Sequence, residues 1–446
     1  MSTLPDSQHQ QHHLPSKEEI VISWRRMREA YRLANLASHH LLGFTIKLGL
    51  AIYFALVILF LCLRYLVLPN IDYYKGDIEK LASSALGLPV TIERVYASWS
   101  GLRPNLILGD VVINDKNGHT ALKLPSVSAT LSWWTVFSTQ LRFSRLELGR
   151  PDLDIRRDVD GKIYVAGLFI DPNRGGDGKG AEWLLAQREI LIRQGRLRWT
   201  DLQRAAPELV LEDVNFTLQN QWRRHRAGLS ATPPASFGGP VDIRTDFEHR
   251  AFAARIADVR QWTGVLYADV RETDLAVWKA YFNYPFEVQR GNGSVRAWLD
   301  LDRAKLVNFT ADLRLSHVEA RLRKDLQPLH LRTVQGRVAA REDMAAKRHA
   351  EDQPSFGRDG HAVSLHDFSL ETEDGLHLAA SAIEESFVAA KDKKPEATHL
   401  KASALDLHTL ADLAERLPLS SAQRQMLHDF APSGVVKNLS VYFPCL

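Results

Sequence analysis

The chain has 446 residues, too many for one compact core and enough for about three domains of ordinary size. Its composition, 45% hydrophobic and 24% charged with Gly 26 and Pro 19, excludes a collagenous, wholly disordered or polytopic membrane chain, and two cysteines, Cys62 and Cys445, exclude a disulfide framework. Seven of the 56 Lys and Arg and four of the 53 Asp and Glu fall within residues 1–68, so the other 378 residues carry 49 of each, which argues against a folded nucleic-acid binder.

Residues 1–40 read as a cytoplasmic tail, floppy over 1–20, where His9, His12 and His13 lie among Gln and Ser. Leu41 to Leu63 is then a run of 23 residues with a single charge, Lys47. At about 1.5 Å per helical residue it crosses a hydrocarbon layer of about 30 Å, and the lysine snorkels to the headgroups. Leu41, Leu50, Phe54, Leu56, Ile58, Phe60 and Leu63 are its membrane-contact candidates, and the anchor extends over 41–68. A signal peptide has a shorter apolar region and a small-residue cleavage site, whereas Arg64, Tyr65 and Leu68-Pro69-Asn70 follow here. A buried core helix is the remaining alternative. Arg25, Arg26, Arg28, Arg32 and Lys47 outnumber Arg64, Lys75 and Lys80, which places the N-terminus inside.

Ile71, Tyr74, Ile78, Leu81, Ala82 and Ala85 recur at helical spacing until Gly87 and Pro89, so 69–89 is a short amphipathic helix. From Val90 the period becomes two. Val127, Ala129, Leu131 and Trp133 alternate with Ser126, Ser128, Thr130 and Ser132, which are expected to face water. Leu141 and Phe143, Leu197 and Trp199, Leu299 and Leu301, and Leu313 and Leu315 continue the theme. In Phe309 to Leu322 the odd-numbered apolar series passes directly into Val318 and Ala320. Asn117-Gly118, Asp160-Gly161, Gly291-Asn292-Gly293 and Asp374-Gly375 supply turns too close together for βαβ units. Helical patterns occupy Ala181–Arg193, Thr273–Phe282, Asp406–Leu417 and Ser421–Phe430, and loops are expected at Asp171–Gly180, Ala227–Gly239 and Arg341–Gly360. Gly195, Gly293 and Gly336 read as strand starts. The fold class is mainly β, an antiparallel meander of strands with one apolar face each.

Sites for chemistry are weak. Gly175 to Gly180 lacks the spacing and the Ser or Thr of a phosphate loop, and Asp158-Val-Asp160-Gly161 lacks the later ligands of a calcium loop and reads as a hairpin turn. Asp300 and Asp302 share the wet face of a strand, and His361, His366 and His377 have no metal-ligand spacing. The sequence offers no catalytic, metal or cofactor site and no nucleophile motif.

The order of segments resembles the AsmA-like superfamily of bacterial envelope proteins, and within it the YhdP family. The cues are a basic tail, one span, Leu86-Gly87-Leu88-Pro89-Val90, then Trp99-Ser-Gly-Leu-Arg-Pro104 and Leu146-Glu-Leu-Gly-Arg-Pro151. Phe309 to Gly336 and Leu405 to Pro418 are similar to further stretches of that family. The resemblance implies a long curled sheet over 90–446 with an apolar trough, anchored in the inner membrane with its bulk in the periplasm. It also implies phospholipid carriage between the membranes and maintenance of the outer-membrane barrier, without enzymatic activity or cofactor. Membranes, acyl chains and other envelope proteins are the implied partners. Members of that family are usually longer, so the chain reads as an N-terminal portion truncated at Leu446.

In a trough, Val127, Ala129, Leu131, Trp133, Leu141, Phe143, Leu197, Trp199, Leu299, Leu301, Leu313 and Leu315 are the lipid-contact candidates. Two alternatives stay open: the same alternation packs a β-sandwich core, and the family likeness also fits a structural or assembly factor with a TamB-type role. The orientation is directly testable. Reporter fusions placed after residue 90 should be active only on the exported side, and cytoplasmic activity overturns that topology.

Overall fold

The computed structural model describes residues 17–114, 120–135, 141–165, 168–170, 179–251, 255–284, 286–303, 305–342, 360–388, 396–419 and 421–444. The chain divides into two units, Met1–Asn70 and Ile71–Leu446. In the first, one helix, α1 (Lys17–Cys62), extends well before the apolar run, so residues 17–20 are helical where a floppy tail was expected. From Leu41 onward it is long and apolar enough to cross a membrane. Leu41, Leu50, Phe54, Leu56 and Ile58 are all exposed, and Phe60 and Leu63 partly so. An exposed surface of this kind on a helix of that length suits hydrocarbon.

The second unit begins with a 3-10 turn and α2 (Lys75–Leu86), which Gly87 ends in the left-handed conformation, its amide bonded to Ser83 O at 2.8 Å. Strands follow as β1 (Val90–Ser100), β2 (Arg103–Asn114), β3 (Thr120–Leu131), β4 (Phe143–Gly149), β5 (Asp152–Arg157), β6 (Ile163–Val165) and β7 (Leu168–Ile170). After α3 (Lys179–Ala186) come β8 (Glu189–Asp201), β9 (Leu209–Gln221), β10 (Arg224–Thr232), β11 (Val241–His249) and β12 (Trp262–Asp274). The one-turn helix α4 (Leu275–Trp278) leads to β13 (Glu287–Asp302), β14 (Lys305–Arg321), β15 (Leu329–Glu342), β16 (Gly360–Thr372), β17 (His377–Val388) and β18 (Ala397–Asp406). Helices α5 (Leu407–Leu413) and α6 (Ser421–Phe430) precede β19 (Val435–Pro444).

All nineteen described strands belong to one sheet. Neighbours in sequence pair antiparallel except at β4–β5 and β7–β8; instead β8 lies parallel to β4 and then to β5, which together form one interrupted strand broken at Arg150. The hairpin β6–β7 hangs from the other side of β5. The result is an open, curled, mainly antiparallel sheet.

The curl has a local cause. Asp110, Arg150, Gln194, Asp213, Glu272, His317, Asp367 and Asn438 all take φ between 49 and 53°, one per strand or strand junction. Such residues let a strand absorb one extra position as a bulge, bending it and increasing its twist. Each bulge also changes which parity faces the apolar side. In β9 Leu209 and Leu211 give way to Val214 and Phe216 across Asp213, and in β14 Phe309 to Leu315 give way to Val318 and Ala320 across His317. The bulges lie near one another across the ladder: Gly149 pairs with Arg193, Gly195 with Val214, and Asn292 with Ser316. Gly195, Gly293 and Gly336 therefore sit within strands beside these irregularities, and are not strand starts. A Cβ on Gly293 would lie 2.1 Å from Arg314 O, so the close approach there requires glycine.

Other boundaries shift for similar reasons. Ala227–Gly239 is not a loop throughout, because Arg224–Thr232 is strand. Small residues and the following prolines hide its alternation of Ala227, Leu229 and Ala231 with Gly228, Ser230 and Thr232. The helix expected over Ala181–Arg193 stops at Ala186, and that over Thr273–Phe282 shrinks to α4, started by Asp274 Oδ1 accepting from Ala276 N at 2.9 Å. Most of Asp171–Gly180 and Arg341–Gly360, and Asn117-Gly118, lie outside the described residues.

Two cores sit where helices meet the apolar face. Ile78, Ala82 and Leu86 of α2 pack on Val90, Ile92, Val95, Val111, Ile113 and Leu124. Leu413 of α5, with Leu275 and Leu417, covers Leu315, Val318, Leu329, Leu331 and Leu370. The bulges give a test of the curl. His317→Val, which forces a β-branched residue into φ 49°, should destabilise the full chain by about 1–2 kcal/mol, whereas His317→Gly should be nearly neutral. Chemical denaturation of both variants checks the contrast.

Candidate functional site

Register across the sheet reveals what alternation within a strand cannot. Starting at β1, the cross-strand partners run Val95, Leu108, Val127, Leu148, Ile192 and Phe216. They continue through Leu229, Ile243, Ala268, Ala297 and Ala311, and then Val338, Leu365, Ile383, Ala402 and Leu439 in β19. Every member is apolar, over sixteen strands. At about 4.8 Å per strand the row is about 70 Å long.

A second row lies two residues nearer the strand ends formed by Ser100, Arg103 and Leu131. It runs from Ala97 through Leu106, Ala129, Leu146, Ile190, Leu218 and Ala227, and onward through Leu266, Leu299, Phe309, Ala340, Val363, Leu400 and Val441. Thr245 and Glu385 are its polar members. Glu385 lies 3.2 Å from His361 Nε2 on the same face.

Leu148, Ile192, Phe216, Leu229, Ile243, Ala268, Val338, Leu365, Ile383 and Leu439 are partly exposed, while Val127, Ala297, Ala311 and Ala402 are buried. No second sheet is formed by the described strands to cover these rows. The opposite face carries cross-strand ion pairs. Arg224 and Arg226 share Asp246, Arg337 meets Asp312 at 2.6 Å and Arg332 meets Glu371 at 2.7 Å. Arg224 holds the Asp246 carboxyl below the usual carboxylate range. Being exposed, such pairs each contribute little to stability and serve mainly to keep that face wet.

The twelve contact candidates separate by position. Val127 stands in the long row, and Ala129 and Leu299 in its neighbour; Leu301 and Leu313 lie farther along the same face. Leu197 and Trp199 lie past the β8 bulge, paired with Leu153 and Ile155. Leu131 pairs with Phe143, which is buried and meets Trp183 edge-on at 6.1 Å. Leu315 is buried in the helix-covered core. Trp133 and Leu141 are off the strands, because β3 ends at Leu131 and β4 starts at Phe143. Thr130 is not on a wet surface: it is 7% exposed, with its hydroxyl donating to Asn105 Oδ1 at 2.9 Å. Phe216, Ile243, Ala297 and Ala311 alternate with polar neighbours within their own strands, but nothing within one strand marks them, or Leu148, Ala268 and Val338, as members of one row.

The Asp158–Lys162 segment is a turn closed by Gly161 N on Asp158 O, and Asp300 accepts from Asn308 Nδ2. Among the described residues no group of three His, Cys, Asp or Glu is arranged to hold a metal ion.

The chain matches the model of the family described as YhdP protein over residues 27–445. It belongs to the YhdP family. No curated protein and no solved structure matches it. YhdP membership fits the membrane-length helix followed by a large curled sheet, and it places the chain among envelope proteins.

Sequence reading also missed a polar cluster at the strand ends of this YhdP sheet. His225, 2% exposed, stacks on Trp262 at 4.7 Å and on His249 at 5.3 Å, with its Nδ1 2.7 Å from Asn220 Oδ1. Burial, assisted by His249, pushes the His225 imidazole down from 6.5 to about 4. The folded chain holds the neutral ring while the unfolded chain protonates near 6.5. That contribution to stability is therefore complete above about 6.5 and lost as pH falls toward 4. The melting temperature of the full chain should decline across that window, and His225→Gln should flatten the decline; an unchanged slope counts against the assignment.

Proposed function

We propose that this protein is anchored in the bacterial inner membrane by α1, with its sheet in the periplasm, and carries phospholipid toward the outer membrane along the apolar rows without catalysing a reaction. In doing so it helps maintain the outer-membrane barrier. One observation carries the reading: an unbroken apolar row crosses sixteen strands with no second sheet among the described strands to cover it. A phospholipid with about 30 acyl methylenes, at about 0.8 kcal/mol each, faces about 25 kcal/mol to leave a membrane alone, and a continuous apolar surface lowers that barrier. A β-sandwich core would have its rows covered.

A TamB-type assembly role is the second reading. It draws on the family likeness and on β19, which among the described strands pairs with β18 and shows exposed Val435, Tyr442 and Phe443.

Face-specific crosslinking decides between them. A photoreactive residue at Leu229, Ile243 or Ala268 of the full chain in membranes should form phospholipid adducts, and one at Gly228 or Arg244 on the opposite face should not. Equal adducts from both faces, or none from either, overturn the conduit. Ile243→Asp should leave the fold intact, since a carboxylate on an open wall reaches water, yet reduce adducts at Leu229 by more than about tenfold, the factor that about 1.4 kcal/mol produces.

A further inference from the structure

The open ends of β1–β4 and β8 form a pocket that the apolar rows do not use. Ser100, Leu102, Arg103, Thr130, Trp133, Ser144, Arg145, Arg188 and Glu189 line it, so three guanidinium groups face a single carboxylate. Arg145 is shared between Glu147 at 3.2 Å and Glu189 at 3.8 Å. Arg103 and Arg188 are exposed and have no acidic partner among the described residues.

The wall behind them is fixed. Thr130 donates to Asn105 Oδ1 and Ser144 donates to Thr130 O at 3.1 Å, so their protons are committed within the fold. That leaves the guanidinium groups, the Ser100 hydroxyl and the Trp133 indole N–H as the side-chain donors of the lining. The fold itself gathers these like charges: Arg188 N donates to Phe143 O at 3.3 Å, which ties the start of β8 to the start of β4, where Arg145 stands. Paired forks of this kind match the oxygens of a phosphate group.

The pocket also adjoins the second apolar row. Thr130, Arg145 and Glu189 alternate with Ala129, Leu146 and Ile190 of that row and so stand on the opposite face, whereas Arg188 shares the parity of Ile190 and stands at the rim on the row's own face. Arg188 is two residues from Ile190, about 7 Å along an extended strand and within the reach of a glycerol phosphate. The exposed Leu102 stands beside it.

We propose that this rim pocket binds the phosphate of a phospholipid whose acyl chains lie on the apolar rows, with Arg103 and Arg188 as the principal ligands. The proposal rests on the lipid-carrying reading above and adds a headgroup position to it. The test compares phosphatidylglycerol with diacylglycerol of identical chains, supplied in vesicles to the full chain with the photoreactive residue at Ile243. Wild type should form more phosphatidylglycerol than diacylglycerol adduct. Arg103→Gln with Arg188→Gln should reduce the phosphatidylglycerol adduct about tenfold, as loss of charge-assisted hydrogen bonds predicts, and leave the diacylglycerol adduct and the melting temperature unchanged. Equal adducts in wild type and double variant overturn the headgroup site while sparing the trough. Absence of both adducts in wild type overturns the trough and the lipid proposal with it. Titration with inorganic phosphate then separates what is left: binding lost in the double variant assigns the pocket to soluble phosphate, and no binding removes the phosphate site entirely.

Discussion

A strand that bends must still keep its apolar residues on one side, and the architecture depends on how that constraint is met. Straight alternation cannot do it, because an inserted residue throws every later side chain to the other face. Here the insertion and the sequence shift together. At Asp213 and at His317 the backbone absorbs one position in the left-handed conformation, and the apolar series changes parity at the same place. The face therefore survives the bend. Repeated across the strands, this device curls the sheet and preserves the row from Val95 to Leu439.

An apolar row that is only partly covered is costly in water, at about 25 cal/mol for each Å² left exposed. Folded proteins normally avoid a continuous patch of that extent unless something binds to it. The helices do not remove the problem. α2 and α5 cover apolar surface in the cores around Val111 and Leu331, the first of which takes in Val95 and Val127 at the start of the row, and leave Leu229, Ile243 and Leu365 partly open. The uncovered region is thus bounded on one side by packed helices and on the other by the polar and aromatic strand ends around His225, Arg103 and Arg188.

The opposite face follows a different rule. Arg and Asp or Glu stand across from one another on adjacent strands, as in Arg337 with Asp312 and Arg290 with Glu319. Individually these exposed pairs are weak, but together they keep one side of a very wide sheet hydrated and hinder its stacking on another sheet. The two faces are chemically distinct along the whole ladder.

Much of this was legible in the sequence because it is local. The length and apolarity of Leu41–Leu63, the end of α2 at Gly87, the period of two from Val90 and the mainly β class all follow from neighbouring residues acting on one segment. The parity change from Leu315 to Val318 was visible as well, although its meaning as a bulge required the φ of His317. Where the alternating residues are small, as in Ala227–Thr232, the local signal was too faint to distinguish a strand from a loop. The parallel run of β8 along β4 and β5, the joining of Ile243 to Ala268 and Leu229, the burial of Thr130 and Leu315, and the lining of one pocket by Arg103 and Arg188 were decided only by tertiary structure. Alternation fixes which residues share a face of one strand, but hydrogen bonds between distant segments choose its neighbours and their register, and only that choice turns separate faces into a continuous surface.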